Sequence, residues 1–361
     1  MNTQLIQSRR MFIKGIGAAA LGAAALGVAQ GAHAATPEND IAMDIDSIEW
    51  DEEYDVLVVG AGAAGMAAAL TVAIEGDGAK ALLLEKGPSI YGGGNSVFSS
   101  GQATFVAEED VEGYFEYLKE MRGDFTATPD DILHVFAEGL VENGTWLTET
   151  LGANPEWLTI SDSGSSEWPE LEHSGLRKVV QFNTENTDAP THTMFFLGDL
   201  IAEKYSDLIT EKTDARLVAL VQDPLSKVVV GGVYECEGAQ VYVKATKGVI
   251  MCTGGFENDD VMKQDYLSIP ISHPAAGVCN TGDGHRICMK LGADLWHMNN
   301  FAGVWTNAVK LDGSEMLNYR GLRKAQGITV GINGRRFYSD WEGSTMFPRD
   351  IEHGADMSLV Y

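Results

Sequence analysis

Residues 55–85 constrain this chain more than any other stretch. Asp55–Val59 (DVLVV) is a short apolar run, the pattern of a buried parallel strand. Gly60-Ala61-Gly62-Ala63-Ala64-Gly65 follows directly, and Met66–Ile74 continues as a helix of small residues. Ala81–Leu84 is a second buried strand, ended by Glu85, 25 residues after Gly60. Glycine at 60 permits the tight turn out of the strand. Glycine at 62 lets a pyrophosphate approach the backbone, and glycine at 65 lets helix pack closely on strand. The helix start then offers free N–H groups and the positive end of its dipole to phosphate. A carboxylate at Glu85 can accept hydrogen bonds from ribose hydroxyls and repels a 2′-phosphate, which disfavours NADP. GxGxxG alone is a weak signal. With a strand before it, a helix after it and an acid at the next strand end, it reads as a dinucleotide-binding βαβ unit of the Rossmann type. Ala61 and Lys86 join Gly60, Gly62, Gly65 and Glu85 as candidate cofactor contacts. These features do not separate FAD from NAD.

A second glycine cluster, Gly92-Gly93-Gly94-Asn95-Ser96 with Gly101 shortly after, either lines the same cleft or forms a surface loop. Val111–Met121, Asp130–Glu142 and Asn143–Leu151 read as acidic amphipathic helices, with Ile132, Val135, Phe136 and Leu140 spaced to face the core. Residues 161–176 read as a polar loop and Leu197–Ile209 as a helix. Ala215–Val221, Lys227–Tyr234 and Gln240–Ala245 form an expected β-meander. Lys247–Cys252 is a further buried strand running into Thr253-Gly254-Gly255, where small residues bring backbone against a ligand. Thr281-Gly282-Asp283-Gly284 is a turn opening a helix over His285–Leu291, with Asp283 near ribityl or phosphate groups.

The N-terminus carries a different signal. Ser8-Arg9-Arg10-Met11-Phe12-Ile13-Lys14 precedes a small, apolar stretch over Gly15–Val28 and then Ala32-His33-Ala34. Paired arginines, a short apolar region and an A-x-A site match a twin-arginine export leader over residues 1–34. This places the protein outside the cytoplasm, with no stable membrane span after cleavage. Residues 35–50 read as an acidic linker. The chain holds 25 Lys and Arg against 52 Asp and Glu, for a formal charge of −27. Such a field opposes nucleic acid as a partner. Residues 310–361 depart from it with seven bases and seven acids, either a cationic site for an anionic substrate or ordinary surface pairing. Cys236, Cys252, Cys279 and Cys288 show no CxxC or haem-attachment spacing and no metal-ligand pattern. They read as buried thiols, with one bridge left open.

Taken jointly, DVLVVGAGAAGMAAA, LLLEK, GGGNSVFSSG, VIMCTGGFEN, TGDGHRICMKLGA and ITVGINGRRFYSD resemble the fumarate reductase/succinate dehydrogenase flavoprotein family over most of residues 53–340. The resemblance selects FAD over NAD. It implies an α/β fold with a Rossmann-like FAD-binding domain and β-meander at residues 51–300, then the start of an α+β capping domain at 301–361. It assigns Gly60, Gly62 and Gly65 to pyrophosphate and Glu85 to the adenosine ribose. Gly94, Asn95, Ser96 and Gly101 go to the flavin side, and Thr253, Gly254, Gly255 and Asp283 to further cofactor contacts. Asn95 stands where the respiratory branch has a His bound covalently to flavin, so non-covalent FAD is implied. Arg323 falls on a family arginine and Arg349 near the catalytic one, while Arg320 replaces an acid and Val304 a substrate-binding His. The family's final glycine-rich FAD segment is not found before Tyr361, so a truncated capping domain is expected.

By this resemblance the leading expectation is an oxidoreductase reducing a C=C bond conjugated to a carboxylate or carbonyl in a small acceptor. Arg323 would pair the substrate oxygens and Arg349 would serve the proton transfer, with electrons from an external donor such as a cytochrome. Urocanate-type reductases remain within this reading. A ketosteroid-type dehydrogenase using Tyr319 or Tyr338, and a non-catalytic flavin or electron-transfer protein, are the alternatives.

Overall fold

The computed structural model describes residues 45–91, 94–99, 101–124, 128–162, 170–185, 191–267, 274 and 277–299, together with the backbone of 306–310 and 317–321. In chain order the elements begin with β1 (Glu52–Val59), α1 (Ala63–Glu75), β2 (Ala81–Leu84), β3 (Ala103–Phe105), α2 (Val111–Arg122), α3 (Asp130–Gly139), β4 (Leu158–Asp162) and β5 (Lys178–Phe182). They continue with α4 (His192–Lys204), β6 (Ile209–Lys212), β7 (Arg216–Gln222), β8 (Val229–Cys236), β9 (Ala239–Met251), α5 (Asp260–Tyr266), α6 (Asp283–Lys290), β10 (Thr306–Lys310) and β11 (Leu317–Gly321).

One sheet has the order β6-β2-β1-β9-β8-β7. β6, β2, β1 and the second half of β9 run parallel, and β7, β8 and the first half of β9 form the antiparallel meander. The parallel strands are covered on both faces, which is why ALLL of β2 is wholly buried. On one face Val56, Val58, Ala81 and Leu83 meet Met66, Ala69 and Leu70 of α1 and Leu197 and Ile201 of α4. On the other, Leu57, Val59, Leu82 and Leu84 meet Leu217, Tyr234 and Val243 of the meander. Lys212, Glu52 and the Tyr234 hydroxyl close that second core with mutual hydrogen bonds. A separate antiparallel sheet has the order β3-β5-β4, and β10 pairs with β11 as an antiparallel ladder.

Four sequence expectations change. The two strands expected at 240–245 and 247–252 are one strand, β9, which pairs with β8 through Lys244 and with β1 from Val243 onward, the β1 ladder shifting register at a bulge between Tyr54 and Val56. The bulge inserts one residue into β9, and at Val243 and Lys244 the strand serves the meander and the parallel sheet at once. Ile209 starts β6 rather than ending a helix. α4 stops at Lys204, and Ile209 is captured as a parallel partner of Ala81, 2% exposed. Residues 158–162, part of them expected in a loop, pair with β5. Finally, Ile132, Val135 and Phe136 are more than half exposed, whereas Leu140 is buried. α3 meets α2 through Leu133, Ala137 and Leu140. Its apolar residues span more than one face, and only one face can meet a single neighbouring helix.

Candidate cofactor groove

The carboxyl ends of β2, β1 and β9 open into one groove of about 480 Å³, lined by residues of the strand ends, the start of α1, the second glycine loop and α6. Ligands of open parallel sheets sit at this edge. β1 turns into α1 at Gly60, whose φ of +99° suits glycine. A Cβ on Gly65 would lie 1.7 Å from the Gly60 carbonyl oxygen, so α1 can approach the strand only without one. α1 has no acidic residue in its first turn and no cap from its own N-cap residue, Gly62. Gly62, Ala63 and Ala64 border the groove with the positive end of the helix. Ser96, from the second glycine loop, accepts from the Ala63 N–H at 3.0 Å. The loop is therefore docked at the helix start and not free at the surface.

Glu85 is 8% exposed and takes part in the turn itself. Its two oxygens accept from the Ala61 N–H at 2.9 Å and the Gly87 N–H at 2.7 Å. The carboxylate thus braces the glycine turn, and each oxygen keeps a second lone pair for the groove. Lys86 donates to Thr281 at 2.8 Å and to Asp283 at 3.2 Å. Arg216, on the first residue of β7, forks onto the same Asp283 at 2.9 and 3.2 Å. Burial raises the Asp283 carboxyl, but the Arg216 hydrogen bond and the charges of Lys86 and Arg216 outweigh it and hold it below the usual carboxylate range. Asp283 therefore ties α6 to the ends of β2 and β7, a role that the spacing of the TGDG turn does not reveal.

At the other end of the groove, Gly94, Asn95, Ser96, Thr253 and Gly254 are brought together with Asn280. Gly101 and Gly255 are not among the groove-lining residues. The Gly101 carbonyl accepts from Thr193 at 2.7 Å, and that of Gly255 from the Gly282 N–H at 3.1 Å. Ala61 borders a small adjoining recess. Arg323, Arg349 and Tyr338 lie outside the described residues, as do residues 1–34, and Arg320 and Tyr319 are described only as backbone of β11. Arg216 and Asn280 line the groove without any sequence signal that marked them, and His285, read in the sequence only as a helix start, lines it too. The four cysteines are free and half-buried, and three of them, Cys252, Cys279 and Cys288, also border the groove. Burial raises all three thiols, and it lowers His285, whose Nδ1 is buried without a hydrogen-bond partner. Among the described residues there is no His, Cys, Asp and Glu cluster suited to a metal. No helix among them is long and apolar enough to cross a membrane.

A glycine-turned βαβ unit, a helix start free of acids and a carboxylate at the next strand end fit an elongated diphosphate-linked ligand. They define a dinucleotide-binding protein of the two-faced α/β type with a meander. A sequence profile of the FAD binding domain family matches residues 55–359, and the chain belongs to that family; its cofactor is FAD. The acrylate reductase flavoprotein subunit of Shewanella woodyi is 28% identical over 360 residues, covering 94% of this chain and 65% of that protein. The probable fumarate reductase Ifc3 of Shewanella frigidimarina is 26% identical over 301 residues, covering 80% and 47%. The chain thus spans between about half and two thirds of the length of these relatives. In fold it is similar to the crystal structure of 3-ketosteroid delta1-dehydrogenase from Sterolibacterium denitrificans, with a TM-score of 0.66 at 18% identity over 84% of this chain and 67% of that one.

Proposed function

We propose that the protein is an FAD-dependent oxidoreductase that reduces a C=C bond conjugated to a carboxylate or carbonyl in a small acceptor. The observation that carries this is the FAD groove on a chain that aligns over 94% of its length with an acrylate reductase subunit. Gly60, Gly62 and the start of α1 would hold the pyrophosphate. Glu85, Lys86 and Arg216 would border the adenosine, and Gly94, Asn95, Thr253 and Gly254 the flavin half. Bound flavin supplies the electron pair, and the protein supplies orientation and electrostatics. Asn95 cannot form the link that a histidine forms, so the FAD would be non-covalent. Arg323 is the proposed substrate-pairing residue, since a guanidinium matches a carboxylate in a two-point fork, and Arg349 the proposed proton-transfer residue, a role that rests on the family resemblance alone. An external donor, such as a cytochrome, and export through residues 1–34 complete the proposal.

The test is anaerobic. The full chain is loaded with FAD, reduced by dithionite, and mixed with fumarate, acrylate, urocanate and related enoates while flavin absorbance is followed. Reoxidation by one or more enoates is expected. No reoxidation by any of them, with a 3-ketosteroid instead reducing the oxidised flavin, would replace this reading with the dehydrogenase one.

A further inference from the structure

Three chain segments meet beside the groove through a single carboxylate. Glu257 follows the Thr253-Gly254-Gly255 turn, and its Oε1 accepts from the amide of Asn95 and, at 2.7 Å, from the amide of Asn280. The Asn95 carbonyl oxygen accepts from the Gly277 N–H at 2.9 Å. Asn258, the next residue along, donates its side-chain amide to the Gly277 carbonyl at 2.7 Å and its backbone N–H to the Asn280 carbonyl at 3.0 Å. Asn280 is 5% exposed, so its amide would otherwise be a buried donor without this partner. The arrangement also explains a glycine that does not reach the groove. A Cβ on Gly255 would sit 2.4 Å from Glu257 Oε2, so a bare backbone there lets the carboxylate fold back over its own turn.

We propose that Glu257 is a positioning residue that clasps the second glycine loop to the β9 turn and the 277–280 segment, and so shapes the flavin half of the FAD groove far more than the ADP half, which the loop meets through the Ser96 bond to the Ala63 N–H. The carboxyl ends of the three central parallel strands carry the distinction, since the start of β7, with Arg216, is held at the end of β2 by the Ala215 N–H donating to the Glu85 carbonyl at 2.9 Å. In the sheet β2 and β9 flank β1 on opposite sides. Glu85 stands at the end of β2 and the phosphate-facing glycines at the end of β1, whereas Glu257 lies past the end of β9. The clasp therefore sits on the far side of the pyrophosphate position from the ribose position. It also governs Asn95, whose amide nitrogen donates to Glu257 and whose oxygen accepts from Gly277, so that Asn95 acts on the groove by holding the loop in place.

The inference rests on FAD as the cofactor, and ADP separates the two claims because it occupies the adenosine and pyrophosphate positions alone. FAD and ADP affinities would be measured on the full chain by flavin fluorescence quenching and calorimetry, for the parent, Glu257→Ala, Glu257→Gln and Asn95→Asp. Glu257→Ala is expected to weaken FAD on the order of tenfold or more while ADP stays within about twofold. It should also change the visible circular dichroism of the flavin that does bind. Glu257→Gln keeps the one oxygen that accepts from both amides and should recover much of the loss. Asn95→Asp sets a carboxylate against Glu257 and should weaken FAD with ADP retained, which keeps the test valid if Glu257→Ala fails to fold. Unchanged FAD affinity in Glu257→Ala, or equal losses of FAD and ADP, would overturn the proposal. A parent chain that binds ADP but not FAD would overturn the cofactor assignment and this inference with it.

Discussion

Gly284→Ala is the substitution whose cost follows most directly from the geometry. Gly284 lies in the first turn of α6, and a Cβ there would fall 1.9 Å from Thr253 Oγ1, 3.0 Å from Thr253 Cβ and 3.3 Å from its Cγ2. Turning the Thr253 side chain relieves the first contact but not the second, because Cβ does not move with χ1. Either α6 or the turn after β9 must shift. Overpacking of this kind costs about 1–3 kcal/mol. The better helix propensity of Ala returns at most about 1 kcal/mol, so from the middle of that range, about 2 kcal/mol, a net loss of about 1–2 kcal/mol is expected. Both residues border the groove, so FAD affinity should fall with stability. Thr253→Ala removes Oγ1 and Cγ2 and leaves only the 3.0 Å contact, which a small shift can absorb. In the double variant about 1 kcal/mol of the loss should return, read as a coupling energy in a double-mutant cycle. The assay is urea unfolding of the full chain by far-UV circular dichroism, compared by midpoint at unchanged slope. A Gly284→Ala protein as stable as its parent, or an equal loss in the Thr253→Ala background, would refute the steric argument.

Three further outcomes are expected. Asp283→Asn leaves Lys86 and Arg216 without their carboxylate and should cost about 1–3 kcal/mol, below the fully buried case because Arg216 is half exposed. The folded Asp283 value is depressed, so its contribution is complete above the unfolded value of about 3.9 and is lost as pH falls through the lower folded one. The stability gap between parent and variant should therefore shrink in acid, and a constant gap would contradict the ion cluster. Glu85→Gln turns an amide N–H₂ toward one of the two N–H groups that Glu85 now accepts, Ala61 or Gly87. A loss of about 1–3 kcal/mol in unfolding and weaker FAD binding are expected in calorimetry. Val135→Ser and Phe136→Ser should stay within about 0.5 kcal/mol of the parent, against about 2–4 kcal/mol for Leu140→Ala, since the first two side chains are exposed and Leu140 is buried.

The sequence by itself determined the βαβ unit. Its signals are contiguous: an apolar strand, a glycine turn, a small-residue helix and an acid at the next strand end, all within residues 55–85. The meander was legible for the same reason, since alternating short strands and turns are local patterns. α3 shows the limit of periodicity. The spacing of Ile132, Val135 and Phe136 specified a helix correctly, but which of its faces is covered depends on where α2 lies. The continuity of β9 depended likewise on its two partners, β8 and β1, which share Val243 and Lys244.

Only the tertiary structure decided how the groove is held. Lys86 meets Asp283 across 197 residues, Asn95 meets Glu257 across 162, and Arg216 meets Asp283 across 67. Asn280 belongs to no local motif, and although Glu257 and His285 lie within VIMCTGGFEN and TGDGHRICMKLGA, spacing had no means of marking the partners they meet. A glycine turn is dictated by the sterics of its own backbone and is written in neighbouring residues. A charged or amide partner is chosen by what the folded sheet edge places within about 3 Å, and that choice exists only once the strands are in register.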